Sequence, residues 1–141
     1  MTTTGDLSRF HAAQARSFAD ALAELRAGRK TTHWMWFVFP QIAGLGKSPT
    51  AQFYAIADAD EAAAYLADPV LGTRLRVAAT ALLAHRDTPV AQIMGDIDAV
   101  KLRSSMTLFE AVAADGETVF ATVLDTFFAG RRDRATLDRL R

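Results

Sequence analysis

The stretch from His33 to Gln41, HWMWFVFPQ, packs two tryptophans, two phenylalanines, a methionine and a valine between a histidine and a proline–glutamine pair. Its unbroken apolar run, Trp34 to Phe39, fits a buried strand or a buried helix, because six residues are too few for periodicity to separate the two. Only Val38 is β-branched, and Pro40 halts a helix because the residue ahead of a proline avoids helical angles. A short helix capped at Thr32 and stopped before Pro40 is therefore expected. On it His33, Trp36, Phe37 and Pro40 lie near one side. Phe37, Val38 and Phe39 have the character of core, where each contributes roughly 2 kcal/mol or more by burial. His33, Trp34 and Trp36 differ, since each carries a ring nitrogen that needs a partner when buried. Such residues collect where apolar packing meets a polar pocket.

Helical spacing continues on both sides. Leu7, Phe10, Gln14, Phe18, Ala21, Leu22 and Leu25 recur at a helical interval between a capping Asp6 and Gly28, which suits the position just past a helix end. Downstream, Asp58 or Asp60 caps EAAAYLA, and Asp68 with Pro69 starts VLGTRLRVAATALLAH. Thr88 and Pro89 repeat that start signal before VAQIM, and Asp96 caps a long helix from Ile97 to about Ala113. Glu117 to Ala129 makes another helix and Asp133 caps a last short turn. No segment alternates with a strand period. The pattern predicts an all-α fold, a compact orthogonal bundle of about six to eight helices, some short. It occupies a single domain over residues 1–141, with residues 1–5 disordered.

Composition narrows the function. A chain of 141 residues buries roughly two thirds of its unfolded surface, enough for one core. Half of the residues are hydrophobic and the formal charges cancel, which excludes disorder and a protein that binds nucleic acid through overall charge. The late arginines, Arg131, Arg132, Arg134, Arg139 and Arg141, are diluted by Asp133 and Asp138 and read as a solvated end. No nucleic-acid partner is expected. With no cysteine, disulfides, thiolate nucleophiles and cysteine-type zinc sites are excluded, and His11, His33 and His85 are too scattered for a metal pair on one helix face. Neither metal nor other cofactor is expected. MTTTGDLSRF lacks the basic and apolar parts of a secretory signal, and the longest apolar run is too short to cross a bilayer. No membrane association and a cytoplasmic location follow.

Two further stretches carry polar chemistry. Gly46, Lys47 and Ser48 spell the end of a phosphate-loop motif, but its leading glycine is replaced by Gln41 and Pro49 interrupts the N–H series, which excludes an ATPase or GTPase of that type. What survives is an anion seat, in which Gly44, Gly46 and Lys47 precede a helix capped at Ser48. The plainer alternative is a glycine-rich connector with an exposed lysine. In KLRSSMTLFE, Lys101, Ser104, Ser105 and Leu108 share one helix side, and Leu102, Met106 and Phe109 another, so one face packs and one stays available. Adjacent serines disfavour a helix interior because their hydroxyls compete for backbone bonds. The residue order does not fit a serine nucleophile motif, and Lys101 with Arg103 instead suits an anionic group oriented by hydroxyls.

HWMWFVFPQ, then GLGKS, then AAAYLADPVLGTRL, then KLRSSMTLF is an ordered combination that resembles the family called domain of unknown function 1810, sometimes labelled calpastatin-like. The likeness runs from about Asp6 to the C-terminal arginines. It implies a compact all-helical domain and no established activity, so no residue roles come with it. A calpastatin-type inhibitor is a disordered, repetitive chain, unlike this one.

The expectation for function is a pocket formed where the His33–Ser48 segment meets the Lys101–Thr107 stripe, binding a small anionic or nucleotide-like ligand. His33 is the candidate catalytic acid, base or orienting donor. The candidate ligand contacts are Trp34, Trp36, Gln41, Gly44, Gly46, Lys47, Ser48, Lys101, Arg103, Ser104, Ser105 and Thr107. The rival is a structural or protein-interaction module, open to oligomerisation, in which these residues satisfy one another.

Overall fold

In the computed structural model, which describes residues 6–141, the first amphipathic stretch folds as helix α1 (Ser8–Ala27). Asp6 accepts hydrogen bonds from the Ser8 N–H at 3.2 Å and hydroxyl at 2.8 Å. At the other end Gly28 takes a left-handed φ of 76°, and its N–H closes on the Glu24 and Leu25 carbonyls. The disorder expected of residues 1–5 falls outside the described residues.

Eight more helices follow among the described residues: α2 (Met35–Val38), α3 (Pro49–Phe53), α4 (Ala59–Ala67), α5 (Leu71–Leu83), α6 (Val90–Met94), α7 (Asp96–Val112), α8 (Val119–Phe128) and α9 (Arg134–Arg139). An isolated parallel bridge between Ile42 and Ile56 ties the irregular stretch down without making a sheet. The all-α expectation holds. The count passes six to eight because α2, α3, α6 and α9 are only four to six residues long.

Most helix starts obey their local chemistry. Ser48 accepts from the Ala51 N–H, Asp58 from Glu61, Asp68 from Val70 and Leu71, and Asp133 from Thr136. Several starts differ from expectation: α6 begins at Val90 with no cap from the Thr88 side chain, and α8 begins at Val119 rather than Glu117. Helix α2 begins after Trp34 rather than Thr32, whose hydroxyl is taken by Glu24, and α7 begins at Asp96 itself, behind Gly95 at φ 87°.

Helix α7 runs through the centre, packed against α4, α6, α8 and α9 and touching α2. Every residue from Ser104 to Phe109 is buried, which corrects the expectation that one face of this stretch stays available. A helix enclosed on all sides buries its polar side too, and the small Ser104, Ser105 and Thr107 side chains suit close neighbours. Across it runs a chain of aromatic contacts. Phe10 meets Tyr65 edge-on at 5.0 Å between centroids, Tyr65 meets Phe109 at 5.2 Å, and Phe109 meets Phe120 at 6.1 Å.

The aromatic stretch is clamped at both ends. On α1 the Glu24 carboxylate accepts from the Thr31 and Thr32 N–H groups at 2.7 and 3.0 Å, the Thr32 hydroxyl at 2.6 Å and the Trp34 indole N–H at 2.9 Å. Partial burial pushes its pKa up, but these donors, led by the Thr32 hydroxyl, overcome that and bring it down to about 2. At the far end the Phe37 carbonyl accepts from the buried Gln14 amide at 2.6 Å and from the Tyr65 hydroxyl at 3.1 Å, and Gln14 also donates to Tyr65 at 2.8 Å. Burial drives the Tyr65 phenol well above its ordinary pKa, so it stays a neutral donor.

A carboxylate with a depressed folded pKa contributes stability that is fully present above its unfolded value, 4.5 here, and is lost as pH falls toward about 2. Glu24→Gln is therefore expected to cost about 1.5 to 3 kcal/mol near neutral pH and to flatten the acid side of the stability curve. Denaturant melts across that pH range check this; coincident curves for the two proteins would show that the carboxylate does not hold the segment. Among the described residues, the buried Ser105 hydroxyl has no hydrogen-bond partner. Ser105→Ala is expected to be neutral or stabilising by up to about 1 kcal/mol, read as a raised melting temperature.

Candidate functional site

The Glu24 clamp presses residues 30–36 against the start of α7. The Lys30 N–H donates to the Ile93 carbonyl at 2.7 Å, which fastens the segment to α6 as well. From there the Lys30 side chain, only 6% exposed, reaches Asp98 Oδ2 at 2.8 Å, and its ammonium stands 5.0 Å from the Trp34 ring centroid. Lys101, one turn beyond Asp98, lies 3.7 Å from Asp98 Oδ1 and 4.9 Å from the Trp36 ring centroid, within cation–π range.

Between these groups opens a cavity of about 490 Å³, lined by Lys30, His33, Trp34, Trp36, Asp98 and Lys101, with Met35 and the turn from Met94 to Ile97 completing the wall. His33 is exposed there. The other two imidazoles have structural partners: His11 Nε2 is 3.0 Å from Asp68 Oδ2, and His85 Nε2 is 3.0 Å from the Arg26 carbonyl. A second cavity of about 320 Å³ adjoins the first, sharing Ile97 and Lys101 and adding Gln41, Leu45, Gly46 and Val100. Ile97 and Val100, a turn apart on α7 and beside this cavity, are 75% and 62% exposed.

The sequence-predicted residues thus divide. His33, Trp34, Trp36 and Lys101 line the first cavity, and Gln41, Gly46 and Lys101 the second. Trp34 is a wall rather than a donor, because its N–H is spent on Glu24. Ser48 uses its oxygen to cap α3, on one of the N–H groups that an anion seat there would need, and the Lys47 carbonyl accepts from Gln52 at 2.9 Å. Gly44, at φ 99°, lies directly under the Arg139 guanidinium, leaving no room for a Cβ.

Arg103, Ser104 and Thr107 bind the end of the chain. Arg103 donates to the Arg131 and Arg132 carbonyls, both at 2.8 Å, and Ser104 to Asp133 Oδ2 at 3.0 Å. The Thr107 hydroxyl donates to the Arg103 carbonyl at 2.8 Å and accepts from the Asp133 N–H at 2.9 Å. With Ser105 buried in the core, this half of the stripe stands outside both cavities.

Three charged groups that line the first cavity escaped the sequence reading as site residues: Lys30, Asp96 and Asp98. Asp98 carried a legible signal, since an acid three residues before Lys101 sits beside it on a helix. Lys30 carried none, as a lysine directly after Arg29 looks like part of any solvated basic pair. The site can stack a flat group near Trp36 and meet charge at Lys101, with the exposed His33 imidazole offering a hydrogen bond. Among the described residues no three His, Asp or Glu side chains are grouped to hold a metal ion, and no helix is long and apolar enough to cross a membrane.

No curated protein matches the chain. Among solved structures, the crystal structure of the conserved hypothetical protein Rv1873 from Mycobacterium tuberculosis is similar, with 44% identity, 96% of each chain covered and a TM-score of 0.93. The model of the family described as "Protein of unknown function (DUF1810)" matches residues 4–140, nearly the whole chain, and the chain therefore belongs to the DUF1810 family.

Proposed function

We propose that the cavity between residues 30–36 and the first turns of α7 binds a small ligand carrying an anionic group, nucleotide-like molecules being members of that class. The observation that carries this reading is that His33 and Lys101, from distant parts of the chain, line one open hollow with the Trp36 ring beside the Lys101 ammonium. An aromatic wall with a few convergent polar groups is the usual composition of a small-molecule site. In this reading Lys101 meets the anion as a point charge, Trp36 packs on the flat or apolar part of the ligand, and His33 donates a hydrogen bond or takes a proton.

The exposed Ile97 and Val100 favour a second reading, in which the same groove takes apolar side chains of a protein partner. The two are separable. Both tryptophans of the chain line the cavity, so their emission reports on its occupancy. Titration with AMP, inorganic phosphate and citrate is expected to give a saturable change with at least one of them. His33→Ala and Lys101→Ala are each expected to weaken that ligand about five- to tenfold, roughly 1 to 1.4 kcal/mol, with melting temperature little changed. A ligand present at a hundred times its Kd would also stabilise the wild type by about 2.7 kcal/mol. No saturable response to any of the three, or responses that ignore both substitutions, would overturn the anion reading.

A further inference from the structure

We infer that Asp98 is a built-in counterion for Lys101, anchored by Lys30 and exchanged at Lys101 for a ligand oxyanion when one binds. The inference rests on the binding reading above and names what sets the affinity of that site. The two lysines share one carboxylate on unequal terms. Lys30 donates to the Thr32 carbonyl at 2.5 Å, lies 2.8 Å from Asp98 Oδ2 and is 6% exposed, so this pair is part of the framework. Asp98, fixed there, turns its other oxygen to Lys101 at 3.7 Å, close enough for charge attraction and too far for a hydrogen bond. The Lys101 side chain is 24% exposed, and among the described residues its ammonium makes no hydrogen bond, resting instead 4.9 Å from the Trp36 ring centroid. Its N–H donors are left for another acceptor.

A ligand oxyanion supplies what Asp98 does not. A carboxylate or phosphate oxygen that reaches Lys101 at about 2.8 Å makes a charge-assisted hydrogen bond, which a longer contact between partly exposed charges does not match. The exchange also suits the local charge. Two ammonium groups against one carboxylate leave the cluster of Lys30, Asp98 and Lys101 with one net positive charge, so an arriving anion balances it. Asp98 keeps Lys30 as its partner throughout, and no nearly buried charge is left alone. Affinity for the anion is therefore the difference between the bond Lys101 gains and the contact it gives up. Asp96 lines the same cavity but, among the described residues, pairs with neither lysine, so it takes no part in this exchange.

Calorimetric titration of the full chain with AMP, inorganic phosphate and citrate, over a double-mutant cycle of Asp98 and Lys101, tests this. Asp98→Asn is expected to tighten the anion about two- to fivefold, the range for a single partly exposed ion pair, whereas damage to the fold would weaken it. On a Lys101→Ala background the same substitution is expected to change affinity by less than about 1.5-fold, because no ammonium is left to release. Asp98→Asn also takes the charge partner from Lys30. Made on Lys30→Met, it gives the same comparison with no ammonium left unpaired, and the same gain is expected. Asp96→Asn controls for charge alone and is expected to give a smaller gain. An Asp98→Asn protein that binds no tighter than its parent on either background, or a gain that is as large with Asp96→Asn or without Lys101, overturns the counterion and leaves the anion reading standing. No saturable binding of any of the three anions overturns the anion reading and the counterion with it.

Discussion

The carboxylate of Glu24 is the point on which the arrangement turns. A chain leaving a helix through a glycine has many ways to go, and the segment after Gly28 takes one because two backbone N–H groups, a hydroxyl and an indole all converge on one side chain of the helix just left. Charge-assisted bonds of this kind are roughly twice as strong as neutral ones. They define the course of Thr31 to Trp34, and therefore where His33 emerges, where the Trp36 ring lies and how Lys30 reaches α7. Without that anchor the aromatic run would be held only at its far end, where Gln14 and Tyr65 bond the Phe37 carbonyl, and the approach through His33 would lose its fixed course.

The other constraint is the position of α7. As the helix that most others touch, it has two functions along its length, divided near Lys101. Its first turns meet solvent and carry Asp96, Ile97, Asp98, Val100 and Lys101 around the cavities. From Ser104 to Phe109 it is interior, and the hydroxyls of Ser104 and Thr107 bond to Asp133, the residue that caps the last helix. A polar stripe on a central helix can thus belong to the core. Hydroxyls that find partners in a neighbouring segment are no more a sign of ligand than buried leucines are.

This division explains what was legible in the sequence. Helix type and most helix starts were readable because caps are local: Ser48, Asp58, Asp68 and Asp133 act within three residues of themselves. Thr32 misled for a non-local reason, since a glutamate eight residues earlier, on another element, claimed its hydroxyl. In the same way the identity of KLRSSMT as a stripe was correct and its exposure was not, because amphipathic spacing tells which residues share a side but not whether a further helix covers that side. His33 and Lys101 line one cavity, as the aromatic and basic character of their two segments suggests. Lys30 was invisible because what distinguishes it, burial and an aspartate from another helix, exists only after folding.

Gly44 lies where the irregular stretch meets the last helix. It sits in the irregular stretch that continues into the second cavity wall, and the guanidinium of Arg139, from the last helix, lies where its side chain would be. A relative that carries a larger residue at the position of Gly44 has first to change the left-handed turn, while its counterpart of Arg139, the exposed end of a flexible side chain, needs only to swing aside.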